Sequence, residues 1–281
     1  MIRSAWAWVT VVLIVLVGFL YVSVVFLLTA PFDPGRYAAG RAFRHLAVAH
    51  VALNGLWRFR TSGVRVTKPR RPYVVVSNHE SYADIFLISH LPWEMKWLSK
   101  DTIFKIPVMG WMMRMAGDVP VVRGKRDSVL AALTACRDRL RKRASVMIFP
   151  EGTRSRTAEL LPFRDGAFRL AVEEQVPILP LAVAGTRRAM AKGTFQFRPT
   201  TAEVRVLPPI ETAGLTLDDL PALKERVRST IDAARHELQR ELGLSAADLT
   251  DEGESGEQTR GPERGEGAES GGRRVESGER G

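Results

Sequence analysis

One cysteine, Cys136, is present in 281 residues, so neither an intrachain disulfide nor a cysteine-based zinc site can form. Cys136 lies in an apolar-periodic stretch, where a buried structural thiol is expected, and this usage fits a cytosol-facing protein. No Gly-x-Ser-x-Gly elbow occurs, which removes the support for a hydrolase serine. Gly117 and Gly124-Lys125 have the wrong spacing for a Walker phosphate loop, and Arg126 stands where Ser or Thr is needed. No grouping of His, Asp and Glu has metal-ligand spacing, and His45, His50, His90 and His236 look incidental. There is no internal repeat. Residues Ala5–Ala30 contain no charge. Beyond Asp251 the shortage is of apolar side chains, with only Ala268 and Val275 among 31 residues. Such a stretch cannot offset its ordering entropy, and 247–281 is expected to be a disordered charged tail.

The uncharged run is long enough to matter. At about 1.5 Å per residue it reaches about 39 Å, against a hydrocarbon core of about 30 Å. A signal peptide would have a shorter apolar region and a small-x-small cleavage site, and Leu28-Thr29-Ala30-Pro31 is a poor one. Residues 1–30 therefore read as an uncleaved membrane anchor. Arg36, Arg41 and Arg44 follow it and only Arg3 precedes it, which puts the C-terminal side, and with it the main domain, on the cytoplasmic face. Residues 31–62 read as a basic amphipathic helix at an anionic membrane surface, or equally as a helix packed on the main domain. The net charge is +10, yet Asp251–Gly281 holds nine acidic residues against five arginines, so the rest carries +14. A body this basic suits an anionic partner such as lipid headgroups, nucleic acid or a phosphorylated substrate.

From Gly63 to about 246, short apolar strands alternate with helical patterns. Strands are expected at Val64–Thr67, Tyr73–Ser77, Met95–Leu98, Val119–Val122, Val146–Phe149, Ile178–Ala184 and Val204–Leu207. Helices are expected at Ala83–Ser89, Pro107–Met115, Asp127–Arg143, Arg164–Glu174 and Leu217–Glu241. This is the pattern of an α/β domain with a single mixed, largely parallel sheet covered by helices.

Two strand ends carry candidate chemistry. In Asn78-His79-Glu80-Ser81-Tyr82-Ala83-Asp84, His79 and Asp84 are too far apart in angle to meet on one continuous helix. They can meet if His79 precedes the helix and Asp84 lies in its first turn, and a carboxylate on one imidazole nitrogen then prepares the other to take a proton. Ser81-x-x-Asp84 is also a capping box, which explains Asp84 without catalysis but leaves His79 unexplained. In Phe149-Pro150-Glu151-Gly152-Thr153-Arg154-Ser155, Gly152 permits close backbone approach, and Arg154, Thr153 and Ser155 can donate to a phosphate. A polar turn capping a short helix is the plainer alternative. Lys100, Lys105, Arg123, Lys125 and Arg126 add cations.

Together the two stretches resemble the glycerophospholipid acyltransferase family, especially its 1-acylglycerol-3-phosphate acyltransferases. The family's first block, Asn-His-x-x-x-x-Asp, matches Asn78, His79 and Asp84, and its third matches Phe149–Ser155 throughout. Lys100, Pro107, Gly110 and Arg123 look like the looser second block, and Val176–Pro180 like the fourth. The resemblance implies that His79 deprotonates a lysolipid hydroxyl while Asp84 orients it, and that the alkoxide attacks the thioester of acyl-CoA or acyl-carrier protein, with no metal or other cofactor. Glu151, Gly152, Thr153 and Arg154 would bind the glycerol-phosphate end, helped by Lys100 and Arg123. The partners implied are membrane lipid, the lysophospholipid and the acyl donor, and not nucleic acid, for which no reading helix or aromatic-basic surface stands out. Two other readings stay open: an acyltransferase for a different acceptor, and a non-catalytic membrane-tethered module binding anionic lipid.

Overall fold

The computed structural model describes residues 2–68, 70–155, 157–190 and 196–250. The expected tail lies almost wholly outside them. Two helices, α1 (Ile2–Thr29) and α2 (Tyr37–Asn54), form an antiparallel hairpin ahead of the sheet. The sheet has seven strands: β1 (Trp57–Gly63), β2 (Val74–Ser77), β3 (Met95–Lys100), β4 (Val119–Val121), β5 (Ser145–Ile148), β6 (Ile178–Ala184) and β7 (Thr200–Val206), in the order β1-β7-β6-β2-β5-β3-β4. All neighbours run parallel except β6 and β7. The remaining helices are α3 (Ala83–Ile88), α4 (Asp101–Phe104), α5 (Met109–Ala116), α6 (Arg126–Arg141), α7 (Gly166–Glu173) and α8 (Leu220–Glu241).

The central strands are apolar on both faces, as a sheet covered on both sides requires: β6 is buried at every position, and Val74, Val75 and Val76 of β2 are wholly buried. One face is covered by α6, α7 and α8. Helix α8 offers it Leu223, Val227, Ile231, Ala234 and Leu238, a helical stripe whose large members each contribute about 1.5–3 kcal/mol when fully buried. The other face is covered by α3 and, through them and α5, by the α1–α2 hairpin.

One expected strand is misplaced. Val64–Thr67 is not a strand, and the first strand is Trp57–Gly63, inside the segment 31–62. Gly55, at φ +64°, ends α2, and Trp57 and Phe59 then alternate with Arg58 and Arg60 along a sheet edge paired in parallel with β7. Helix α2 is packed on the domain. Its Arg44 is buried, bonded to Asp118 and 3.9 Å from Glu94, and Arg41 donates to the carbonyl of Leu91. Glu94 also pairs with the fully buried Lys96 at 3.0 Å. Buried charges are tolerated only when paired in this way.

Helix α1 is covered on one side along its length. Ser4 bonds to the backbone of Phe197, Trp6 to the carbonyl of Leu53 and Thr10 to His50. A Cβ on Gly18 would stand 2.4 Å from Leu46, so this glycine lets the two helices touch. The opposite side, with Val17, Leu20, Val24, Leu27 and Leu28, is exposed and wholly apolar.

Candidate active site

β2 and β5 are adjacent parallel strands whose chains leave toward opposite faces, β2 into α3 and β5 toward α7. Such a divergence opens a crevice at the carboxyl ends of the strands. His79 and Phe149 stand there, immediately beyond β2 and β5.

The strand–turn–helix arrangement brings His79 and Asp84 together. Asp84 Oδ2 lies 2.7 Å from His79 Nδ1 and also accepts the N–H groups of Glu80 at 2.8 Å and Ser81 at 3.1 Å. Its Oδ1 accepts from the Thr186 hydroxyl. One carboxylate thus accepts from the Ser81 N–H, as half of a capping box would, and meets the His79 ring at the same time. With Nδ1–H directed to Asp84, His79 keeps Nε2 as an acceptor that bonds to none of the described residues. The ring is held flat by Phe149, stacked at 3.9 Å between centroids.

The second strand-end stretch supports the first. Glu151 Oε1 accepts the N–H of His79 at 2.8 Å and Oε2 that of Leu161 at 2.9 Å, while the N–H of Ser155 donates to the carbonyl of His79 at 3.0 Å. Both carboxylate oxygens of Glu151 are therefore bonded to backbone, and one of them holds the His79 turn. Asn78 bridges to β6, exchanging two bonds with the backbone of Val183. Burial pushes the Glu151 carboxyl up to about 7 against the pull of its two N–H donors. Burial, reinforced by the Asp84 carboxylate, likewise pushes Glu80 up to about 7.

Two cavities lie near Phe149, which borders the second of them. On the hairpin face, a cavity of about 260 Å³ is lined by Val15, Phe43, Ala47, Ile85, Ile103, Met109 and Met112, and by Trp97, whose ring lies 6.0 Å from that of Phe149. Arg44 and Asp118 also border it. On the α6–α7 face, a cavity of about 150 Å³ is bordered by Phe149, Pro150, Gly152, Leu133, Arg123 and Arg164. Gly152 has φ +70°, which suits glycine, and Arg154 lies over the ring of Tyr82 at 3.9 Å. Of the expected binding residues, Gly152 and Arg123 border this second cavity, Thr153 and Arg154 lie on the turn beside it, and Lys100 stands exposed at the end of β3, lining neither cavity. Thr186, Phe149 and Arg164 were not foreseen. Thr186 follows β6, and its place at a strand end was the one available signal.

The family described as Acyltransferase matches residues 58–184. Over 200 residues the chain is 34% identical to 1-acyl-sn-glycerol-3-phosphate acyltransferase alpha of Homo sapiens, covering 70% of each chain. It is 33% identical over 182 residues to 1-acyl-sn-glycerol-3-phosphate acyltransferase of Saccharomyces cerevisiae, covering 63% of this chain and 59% of the other. Among solved structures, the 1-acyl-sn-glycerophosphate (LPA) acyltransferase PlsC from Thermotoga maritima superposes with a TM-score of 0.63 at 23% identity, over 81% of this chain and 95% of that one. That likeness bears on the fold.

Proposed function

Since the chain belongs to the acyltransferase family and is an O-acyltransferase, we propose that it moves a fatty acyl group from acyl-CoA or acyl-carrier protein to the free hydroxyl of 1-acylglycerol-3-phosphate, giving phosphatidic acid. The observation that carries this reading is the 2.7 Å contact between His79 Nδ1 and Asp84 Oδ2, at a strand end where Phe149 stacks on the same imidazole.

In this scheme Nε2 of His79 removes the hydroxyl proton as the oxygen attacks the thioester carbonyl. Asp84 stabilises the imidazolium, with Thr186, Glu80 N–H and Ser81 N–H fixing the carboxylate. Collapse of the tetrahedral intermediate breaks the carbon–sulfur bond, and the imidazolium returns the proton to the departing thiolate. The apolar cavity suits an acyl chain, and the cation-bordered one suits the phosphate of the acceptor. No step calls on a metal.

The protein is membrane-associated through α1. Its covered side supports a seat along one leaflet, because a helix standing across the bilayer would draw α2, with Arg41 and Arg44, into hydrocarbon. The exposed side would then lie among lipid tails, with the α/β domain on the cytoplasmic face, as the flanking arginines suggest.

The test is turnover of labelled acyl-CoA and acyl-carrier protein by purified protein with a panel of lysolipids. Phosphatidic acid is the expected product, and His79→Ala should lower the rate about 10²–10⁴-fold. Near-normal turnover by a folded His79→Ala protein would sink the scheme.

A further inference from the structure

Arg164 belongs to neither strand-end stretch, yet it is built onto one of them. It lies just ahead of α7 and is anchored by its own N–H, which donates to the carbonyl of Pro150 at 2.9 Å. Its guanidinium lies over the Gly152 turn: a Cβ on Gly152 would stand 2.7 Å from Arg164 Nε and 2.9 Å from Cζ. Gly152 thus leaves room for this side chain as well as adopting its turn. Arg123, from the end of β4, borders the same cavity from the other side, and Arg154 extends from the same turn.

Two guanidinium groups, those of Arg123 and Arg164, therefore border one cavity, and a third, that of Arg154, lies beside it over the ring of Tyr82. Among the described residues, none of them has a carboxylate within ion-pair distance. Asp165, the acid next to Arg164, is bonded instead to Lys224 at 2.8 Å. The cations feel one another: burial, followed by repulsion from Arg164 and then Arg154, holds the Arg123 pKa below its ordinary value. On the neighbouring face of α6, by contrast, Arg137 is matched with Glu173 and Glu174.

We propose that Arg164 is a specificity-determining residue which, with Arg123 and Arg154, makes the acceptor site select a phosphate monoester over a phosphodiester. This rests on the acceptor reading above and narrows it. A monoester carries about −1.5 to −2 charges near neutral pH and three terminal oxygens, whereas a diester carries a single charge and two. Three unmatched guanidinium groups gain more from the dianion, and each can form charge-assisted bonds to a terminal oxygen.

The experiment has two arms on the full chain in detergent micelles. The first measures kcat and KM with 1-acylglycerol-3-phosphate and with the matching 1-acylglycerophosphoglycerol, for wild type, Arg164→Gln and Arg164→Lys. The second measures binding of glycerol 3-phosphate and of glycerophosphoglycerol by calorimetry, without turnover. Arg164→Gln should raise KM for the monoester about tenfold with kcat within about threefold, leave the diester nearly unchanged, and weaken glycerol 3-phosphate binding in parallel. Arg164→Lys should recover much of the loss. Equal losses on both headgroups, or a fall in kcat with unchanged KM and binding, would overturn the proposal. Arg164-dependent selective binding of glycerol 3-phosphate without acyl transfer to any lysolipid would uphold the proposal while defeating the reaction assigned above. Because Arg164 is exposed and, among the described residues, its side chain bonds to none, these variants should fold normally.

Discussion

Phe149 lies flat against the His79 imidazole, with centroids 3.9 Å apart and planes 15° from parallel, while Asp84 holds the edge of the same ring. The imidazole is thus fixed in orientation by an apolar contact and in tautomer by a charged one. These constraints come from strand ends that are adjacent in the sheet and far apart in the chain.

Thr186 should tune the base without touching substrate. Its hydroxyl supports the Asp84 carboxylate, and a hydrogen bond to a charged group contributes about 1.5–3 kcal/mol. Thr186→Val should lower kcat by about tenfold or more, leave KM for the acceptor near its original value and shift the acid limb of the pH–rate profile. Unchanged kcat with an unmoved profile would remove Thr186 from the relay.

Glu151 should behave as a strut. Glutamine keeps one acceptor but turns an N–H group toward the other backbone donor, so either His79 N–H or Leu161 N–H loses its partner. Glu151→Gln should lower kcat and thermal stability together, with little effect on acceptor binding measured by calorimetry. A selective loss of acceptor affinity at unchanged stability would return Glu151 to the ligand-binding role that its sequence context suggested.

These residues mark what was legible in the sequence. His79 and Asp84 could be paired because five residues of strand, turn and helix hold everything that joins them. Thr186 reaches Asp84 across 102 residues, with no spacing to announce it. Glu151 stands out in its strand-end stretch, but the sequence does not show that its partners include two backbone N–H groups. The first strand was hidden for another reason: Arg58 and Arg60 of an edge strand extend the basic pattern of the preceding helix, so its end was not apparent until Gly55 was seen in the left-handed region. The interior strands, apolar on both faces, could not be mistaken in the same way.

His50 should confer acid sensitivity. It is buried among Trp57, Phe86 and Phe197, bonded through Nδ1 to Thr10, and burial pulls its pKa down to about 4. The unfolded chain takes up a proton near pH 6.5 that the folded chain refuses, so this contribution is complete above that pH and is lost as pH falls toward 4. The difference amounts to about 3 kcal/mol over that window. In thermal melts from pH 7.5 to 4.5, His50→Gln should fall off less steeply than wild type. Parallel curves would mean that His50 is protonated in the fold.

The placement of α1 can be read with one added thiol. Cys136 is buried and its thiol is pushed up to about 12, so it gives little background with a maleimide. In intact spheroplasts an Ile2→Cys chain should resist a membrane-impermeant maleimide and react only after lysis. Labelling before lysis would make α1 a true span with its N-terminus outside.

Pairing of β1 with β7 sets Trp57 beside Thr200 in the folded sheet. During synthesis, at about 5–20 residues per second, roughly 7–30 s separate the appearance of these two residues. The α1–α2 hairpin needs no such wait, since its contacts are local and its outer face is apolar. The nascent chain can therefore reach a bilayer while its last strands are still unmade and its dyad lacks Thr186. On this timetable the apolar outer face of α1 is made well before the sheet that it precedes can close.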